Sequence, residues 1–136
     1  MTIAANNVEI LRCDVAPSYK TAAAIVQGAL VKMTSTNDTV ATSTAGNVAF
    51  GIAGVASTSS GAEVIPVILK GKIRIDLTTS VYTSGGSPAV GGLIYCTVAD
   101  YTFNSGASGA VLIGVCTAYS AGVYAEVEIN MPLPSA

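Results

Sequence analysis

Three cationic side chains, Lys70, Lys72 and Arg74, lie within five positions of a chain that has only six lysines and arginines in 136 residues. Alternate residues of a strand point to the same face, so these three would form a row that could bind an anion. The row has no interleaved aromatic side chains, Asp76 shortens it, and the net charge of the chain is only −2. Nucleic-acid binding is therefore not predicted, and a solvated strand face is the simplest interpretation.

Enzymatic chemistry finds little support among the other reactive side chains. The chain has no histidine, so the commonest general base is absent, as are His-based triads and most zinc sites. Glu126 and Glu128 share one strand face, but nothing marks them as an acid/base pair. The glycine-rich GGSPAVGG stretch lacks the lysine and the spacing of a phosphate loop. We predict that the protein is not an enzyme and that it has no cofactor and no metal site.

The cysteines and the leading segment indicate the compartment. Cys13, Cys96 and Cys116 are odd in number and far apart, so we expect them to be reduced and buried. The opening MTIAANNVEILRCD has neither a cationic start nor a long apolar run, which predicts synthesis in a cytoplasm. Long uncharged spans exist, but Ser, Thr, Asn and Gly interrupt them, so no membrane-spanning helix and no membrane partner are expected.

The stretch VIPVILKGKIRIDL, residues 64–77, predicts a strand that buries one side. The predicted inward row is apolar throughout and consists of Ile65, Val67, Leu69, Ile73, Ile75 and Leu77, with Gly71 in the same parity. The opposite row begins with Val64, Pro66 and Ile68 and becomes charged afterwards, so another segment or another chain should cover its first half. A bend or bulge is expected at Gly71, and Pro66 should lie at an edge or a bulge.

Short β-branched runs separated by clusters of Gly, Ser, Asn and Asp predict an all-β fold, a small β-barrel or β-sandwich. Strands are expected near residues 8–12, 28–34, 39–44, 48–56, 63–77, 92–98, 110–118 and 123–130. The alanines of TAAAIVQGAL, residues 21–30, favour helix, but Gly28 and the β-rich neighbours favour an extended segment or a loop there.

A weak internal repeat accompanies this pattern. FGIA at 50–53 and IGVC at 113–116 are separated by the same interval as Ala62-Glu63-Val64 and Ala125-Glu126-Val127. GALV at 28–31 and GLIY at 92–95 are separated by nearly the same interval, with a single extra position. The matches predict two duplicated β units, each too small to close a core alone, with chance similarity among β strands as the alternative.

The composition favours an assembly over a solitary monomer. Charged residues make up 10% of the chain, against about a quarter in typical domains, and hydrophobic residues make up 51%. Thr, Ser and Gly can supply a neutral polar surface, so low charge alone does not require association. Large apolar surface patches usually mark interaction sites, and we expect part of the exterior to be buried in an assembly.

Several segments together resemble the bacteriophage capsid decoration proteins, also called cement proteins, a family formerly known as a domain of unknown function. The segments are AAAIVQGALVKM, VATSTAGNVAFGIAGVASTSSGAEVIPVILKGK, GGLIYCTVADYTF and GAVLIGVCTAYSAGVYAEVEIN. The resemblance lies in the order of the parts, which are Ile25, Gly28, Leu30 and Val31, then Gly51–Ala53, Gly61, Val64–Lys70, Gly92–Tyr95, the I-G-V at 113–115 and a closing V-E-I. In this chain the glycine at 71 is displaced from the family pattern. The resemblance covers about residues 20–130.

This resemblance implies a virion structural protein that binds the outer surface of an assembled head and stabilises the capsid. Its partner would be the major capsid protein, and it would form a homo-oligomer, with a trimer favoured over a dimer. Residues 20–136 would form the decoration domain. Residues 1–19 lie outside the resemblance and would be an edge strand or, as we favour, an N-terminal arm. The cationic row would be a rim that orients the protein on the shell, or merely a solvated face.

These interpretations nominate a set of partner-contact residues in the leading segment and in the 64–77 strand. They are Val8, Ile10, Leu11, Val64, Ile68, Lys70, Lys72 and Arg74. The alternative function is a sugar-binding β module of a phage tail or cell surface. Exposed aromatic side chains grouped on one face would favour that alternative, but the chain has no tryptophan, and its six tyrosines form no obvious cluster in the sequence.

Overall fold

A computed structural model describes residues 7–43, 51–58, 63–78, 88–97, 103–105 and 110–131. All of the regular structure within these ranges is β, which confirms the predicted class. The strands are β1 (Val8–Val15), β2 (Ser18–Thr21), β3 (Leu30–Met33), β4 (Thr39–Thr42), β5 (Gly51–Ala53), β6 (Val64–Ile68), β7 (Lys70–Asp76), β8 (Leu93–Thr97), β9 (Phe103–Asn104), β10 (Ala110–Ser120) and β11 (Tyr124–Asn130). In the described part of the chain, no helix is long and apolar enough to cross a membrane.

The strands form two layers. A closed barrel has the order β2-β4-β3-β5-β6, and a six-stranded sheet has the order β1-β7-β11-β10-β8-β9. β2 and β4 pair in parallel, and the other neighbours pair antiparallel. β2 and β9, which are short, were not predicted from the sequence. Part of the strand expected at 48–56 lies outside the described residues.

The stretch from residue 64 to residue 77 belongs to both layers and bends at Leu69. Its first part is β6 of the barrel and its second part is β7 of the sheet, with Leu69 between them. The Leu69 N–H donates to Val15 O at 2.8 Å, and Leu69 O accepts the Met131 N–H at 2.7 Å. The bend therefore lies at Leu69, two residues before Gly71, where we predicted a bend or bulge.

The alternation of this run is confirmed. The buried side chains of the inward row are Ile65, Val67, Leu69, Ile73 and Ile75, and Leu77 is partly buried against the same core. Gly71 is needed for a close approach instead of a bend, because a Cβ atom there would collide with the carbonyl oxygen of Arg12 on β1.

Pro66 lies within the closed barrel, between β2 and β5, so the prediction of an edge or a bulge was wrong. Its carbonyl accepts the Gly54 N–H at 2.9 Å, just past the end of β5. Proline has no N–H to donate, and an N–H at residue 66 would point to this same side. Pro66 lies beyond the last pair of the β5–β6 ladder, so no ladder hydrogen bond is lost there. The Gly54 carbonyl accepts a hydrogen bond from Gln27 Nε2 at 3.1 Å.

The two layers repeat one arrangement, which supports the predicted duplication. We call β2–β6 the first unit and β7–β11 the second unit. The first reads β4-β3-β5-β6-β2 across the barrel, and the second reads β9-β8-β10-β11-β7 across the sheet, followed by β1. Each of four cross-strand pairs in the first unit has an equivalent pair in the second unit, at one constant interval along the chain. The pair of Leu30 with Ile52 corresponds to that of Leu93 with Val115, and the pair of Val31 with Gly51 corresponds to that of Ile94 with Gly114. The pair of Lys32 with Ala41 corresponds to that of Tyr95 with Asn104, and the pair of Met33 with Val40 corresponds to that of Cys96 with Phe103.

The ladder registers correct two of the sequence matches. Leu30 corresponds to Leu93, and not to Ile94 as the match of GALV to GLIY placed it. Val127 pairs with Cys116 as Val67 pairs with Ala53, so Val127 corresponds to Val67 and not to Val64. The recurring Ala-Glu-Val was therefore not a pair of equivalent positions.

The TAAAIVQGAL segment and the described start of the chain are both extended or irregular. Residues 22–29 form no helix, as predicted, and Ile25 makes an isolated bridge with Ser57. The leading segment supplies β1, which pairs with β7 at the edge of the sheet and buries Val8 to 1% exposure. The expected boundary after residue 19 falls inside β2.

The cysteines are all free, but only two of them are buried. Cys96 and Cys116 lie in the core of the second unit, and burial raises the pKa of the Cys116 thiol. Cys13 is exposed, so the prediction was wrong for this residue. It lies on β1 opposite Gly71, and among the described strands β7 is the one that pairs with β1.

Candidate interaction surface

The outer face of the six-stranded sheet lies opposite its buried row and has two parts. We call the part on β1, β7 and β11 the charged half; its charged side chains are Glu9, Arg12, Asp14, Lys70, Lys72, Arg74, Asp76, Glu126 and Glu128. We call the part on β8 and β10 the apolar half, formed by Leu93, Leu112 and Val115. The cationic row of β7 thus lies between two strands that carry acidic residues.

Arg74 is the centre of the charged half. Glu126 lies directly across from it on β11, and Arg74 Nη2 contacts Glu126 Oε2 at 2.5 Å. On the other side, Arg74 Nη1 lies 3.9 Å from Glu9 Oε2 of β1. The guanidinium also stacks over the ring of Tyr124, 4.7 Å from its centroid. Opposite charges on neighbouring strands stabilise a sheet, so the first role of Arg74 is to join β1, β7 and β11.

The Arg74 hydrogen bond and charge lower the pKa of the Glu126 carboxyl, with a smaller effect from Lys72, whose Nζ is 3.7 Å from Glu126 Oε1. The carboxylate is only 15% exposed. A carboxylate that is held ionised by two cations is a poor general acid at neutral pH. The geometry therefore gives Glu126 a structural role.

Arg12 forms a second cluster on the edge strand. Its guanidinium contacts Glu128 across the sheet and donates from Nε to Asp14 Oδ1 at 2.9 Å. The Arg12 hydrogen bond lowers the pKa of the Asp14 carboxyl. These pairs are exposed, so they contribute little to stability, but they neutralise the surface. Lys70 is exposed and forms no ion pair with any described residue.

The eight partner-contact candidates fall into three groups. Val8 and Ile68 are buried in the chain's own core, so their side chains offer no surface to a partner. Ile10, Lys72 and Arg74 are partly buried, and the last two are committed to Glu126. Leu11 at 37% exposure, Val64 at 57% and Lys70 remain exposed. The first half of the outer row of the 64–77 run is thus covered at Ile68 by the chain itself and is open at Val64.

The apolar half was not predicted from the sequence. Leu93, Leu112 and Val115 are 45%, 47% and 38% exposed and line a shallow groove of about 300 Å³ together with Gly114, Glu128 and Asn130. The signal was present, because GGLIY and VLIGVC are apolar in both parities and a half-buried strand needs only one apolar face. A register shift between Leu112 and Gly114 adds to the difficulty, because it interrupts the alternation of β10.

A second hollow, of about 280 Å³, is lined by Asn7, Glu9, Arg74, Asp76, Val123 and Tyr124. A sugar-binding site would use an open aromatic face here, but the face of Tyr124 is covered by the Arg74 guanidinium. Among the described residues, no group of three His, Cys, Asp or Glu side chains could hold a metal ion.

Comparison with known proteins gives a likeness in fold. A chain in the solved structure "The capsid of Myoviridae Phage XM1" has the same fold, with a TM-score of 0.59 and 18% sequence identity. The alignment covers 93% of this chain and 94% of that chain. No family model matches the sequence, and no curated protein matches it. The likeness establishes the shared fold over nearly the full length of both chains.

Proposed function

We propose that this chain is a virion structural protein that binds the outer surface of an assembled phage head and stabilises the capsid. The observation that carries the proposal is the full-length fold likeness to a chain of a phage capsid structure. The order of motifs in the sequence supports the same function, since it resembles that of the capsid decoration proteins. The partner is the major capsid protein, and the chain acts as a homo-oligomer without catalysis or a cofactor.

The surface chemistry fits a binding role that uses shape and apolar contact more than charge. The cations Arg12, Lys72 and Arg74 are paired with carboxylates, so the charged half presents no basic patch for nucleic acid among the described residues. Leu11, Val64 and Lys70 remain exposed and are the candidate contacts with the shell. Many weakly bound copies stabilise a shell, because a site that spans neighbouring subunits exists only in the assembled particle.

The test is cryo-electron microscopy of phage heads assembled with and without this chain, followed by addition of the purified protein. We expect external density that is absent from the deficient heads and restored by addition, and deficient heads that release DNA at a lower temperature. Val64→Asp combined with Leu11→Asp should reduce the occupancy. Val123→Asp, at a position that is 52% exposed, is the control for an added surface charge. Purified protein that leaves deficient heads undecorated and no more heat-resistant would refute the proposal.

A further inference from the structure

The two units bury equivalent surface residues to very different extents. Leu30 pairs with Ile52 in the first unit, and Leu93 pairs with Val115 in the same register in the second unit. Ile52 pairs with Ile68, which lies on the outer row of β6 with the exposed Val64, so the first pair lies on the outer face of the barrel. Leu93 and Val115 alternate with the buried Ile94 and Cys116, so the second pair lies on the outer face of the sheet. Leu30 and Ile52 are 1% and 0% exposed, whereas Leu93 and Val115 are 45% and 38% exposed.

The cover over the first pair belongs to the chain itself. Leu30, Ile52 and the adjacent Ile68 belong to the same core cluster as the buried row of the six-stranded sheet. At the margin of this contact, Val8 of β1 packs on the turn at Gly28. The corresponding turn at Gly91 has no described atom within 4 Å of the position that a Cβ would occupy. The outward apolar row of the barrel is therefore buried within the chain's own core, and the equivalent row of the sheet is open.

We propose that a second copy of this chain covers the apolar half formed by Leu93, Leu112 and Val115. In the barrel the equivalent row is buried in one core with the buried row of the six-stranded sheet, so residues of this same sequence already cover one such surface. The apolar half has the anatomy of an interface, with an apolar centre and a polar rim that includes Glu128 and Asn130. Val90, 68% exposed and next to Gly91, extends the apolar surface beyond the groove.

This inference deepens the proposed function, because a homo-oligomer is part of it, and it assigns the surface through which copies join. It leaves Leu11, Val64 and Lys70 free to face the shell. Each oligomer would then present several shell-contact surfaces at once, which raises its avidity without any new contact.

The experiment is sedimentation equilibrium of the full chain and of the double variant Leu93→Thr, Val115→Thr, without any phage head. Threonine keeps the strand propensity while removing apolar surface. We expect the wild type to associate and the double variant to associate at least about tenfold more weakly, with an unchanged far-ultraviolet circular dichroism spectrum. The matched control, Val55→Thr with Val123→Thr, alters residues of similar exposure, 44% and 52%, and should associate like the wild type.

A second measurement uses the unaltered chain and does not depend on how the variants fold. Hydroxyl-radical labelling of Leu93 and Leu112 should fall as the protein concentration rises, while labelling of Val123 stays constant. A monomer at all concentrations, or equal association of the wild type and the double variant, overturns the inference. A double variant that keeps its oligomeric state but loses head occupancy also overturns it, because the apolar half would then face the shell. Weakened association in a protein that never binds heads would support this inference and refute the proposed function.

Discussion

Gly28 and Gly91 adopt the same φ of +85°, but the side chain of Val8 packs only against Gly28. Their amides form equivalent hydrogen bonds, from the Gly28 N–H to Ala53 O and from the Gly91 N–H to Cys116 O, both at 2.8 Å. The two turns are thus the same local structure in a covered and an open setting. This pair separates the backbone requirement for glycine from the packing requirement.

We expect Gly28→Ala to destabilise the protein more than Gly91→Ala. Both variants carry the cost of an alanine at positive φ, about 1–2 kcal/mol. A Cβ at residue 28 would also lie 2.5 Å from Val8 Cβ, which adds roughly 1–3 kcal/mol of overpacking. Urea unfolding at low protein concentration measures both free energies. Adding Val8→Gly, which removes the clashing Cβ, should cost less in the Gly28→Ala background than in the wild type and the same in the Gly91→Ala background as in the wild type. Equal losses in the two single variants would contradict the packing argument.

The Arg74–Glu126 pair predicts a contribution to acid stability. The pKa of the Glu126 carboxyl is lower in the folded protein than in the unfolded chain, where it is about 4.3. The stabilisation is therefore fully present above that value and is lost as the pH falls through the folded pKa. Glu126→Gln and Arg74→Gln should each flatten the decline of the free energy of unfolding in acid, by a small amount because solvent screens the pair. Acid unfolding curves that match the wild type in both variants would show that the pair does not contribute to stability in acid.

The sequence pattern predicted which residues of a strand face the same way, because this depends only on their alternation. The partners of each strand depend on residues that are distant in the sequence and were not predicted. The inward row from Ile65 to Ile75 was predictable, because alternation holds whichever strands lie beside it. The division at Leu69 was not, because it depends on which partners the run has on each side. From the sequence, Arg74 was interpreted as part of a cationic row. Its acidic partners Glu9 and Glu126 could not be predicted, because they are distant from it in the sequence.

Burial of the contact candidates was unpredictable for the same reason. Ile68 and Val64 lie on the same outer row of one strand, yet the first is fully buried and the second is 57% exposed. The alternation of the strand does not distinguish them. The exposure of Leu93 was also not predicted. An apolar residue in an apolar strand is expected to be buried when the register of the strand is unknown.

The leading segment is expected to be part of the folded domain. β1 pairs with β7 along its length, and Val8 is buried, so a chain that begins at Ser18 would expose the edge of β7 and uncover part of the core. We expect this truncated chain to aggregate or to unfold at a much lower temperature. A chain that begins at Asn7 retains β1 and is the control, with an expected melting temperature close to that of the full chain. An unchanged melting temperature for the Ser18 chain would instead make the segment a dispensable arm.

Leu30 and Leu93 offer the sharpest comparison, because they are the same residue type in the same register of the two units. Leu30→Ala removes a fully buried side chain and should cost about 2–5 kcal/mol at any protein concentration. Leu93→Ala should cost about 0.5 kcal/mol or less in the dilute monomer, since the side chain is already half in water. At higher concentration the wild type should gain stability by mass action, and Leu93→Ala should gain less. Thermal unfolding across a wide concentration range measures both effects. Equal losses in the two variants at the lowest concentration would show that the two positions are not a covered and an open version of one surface.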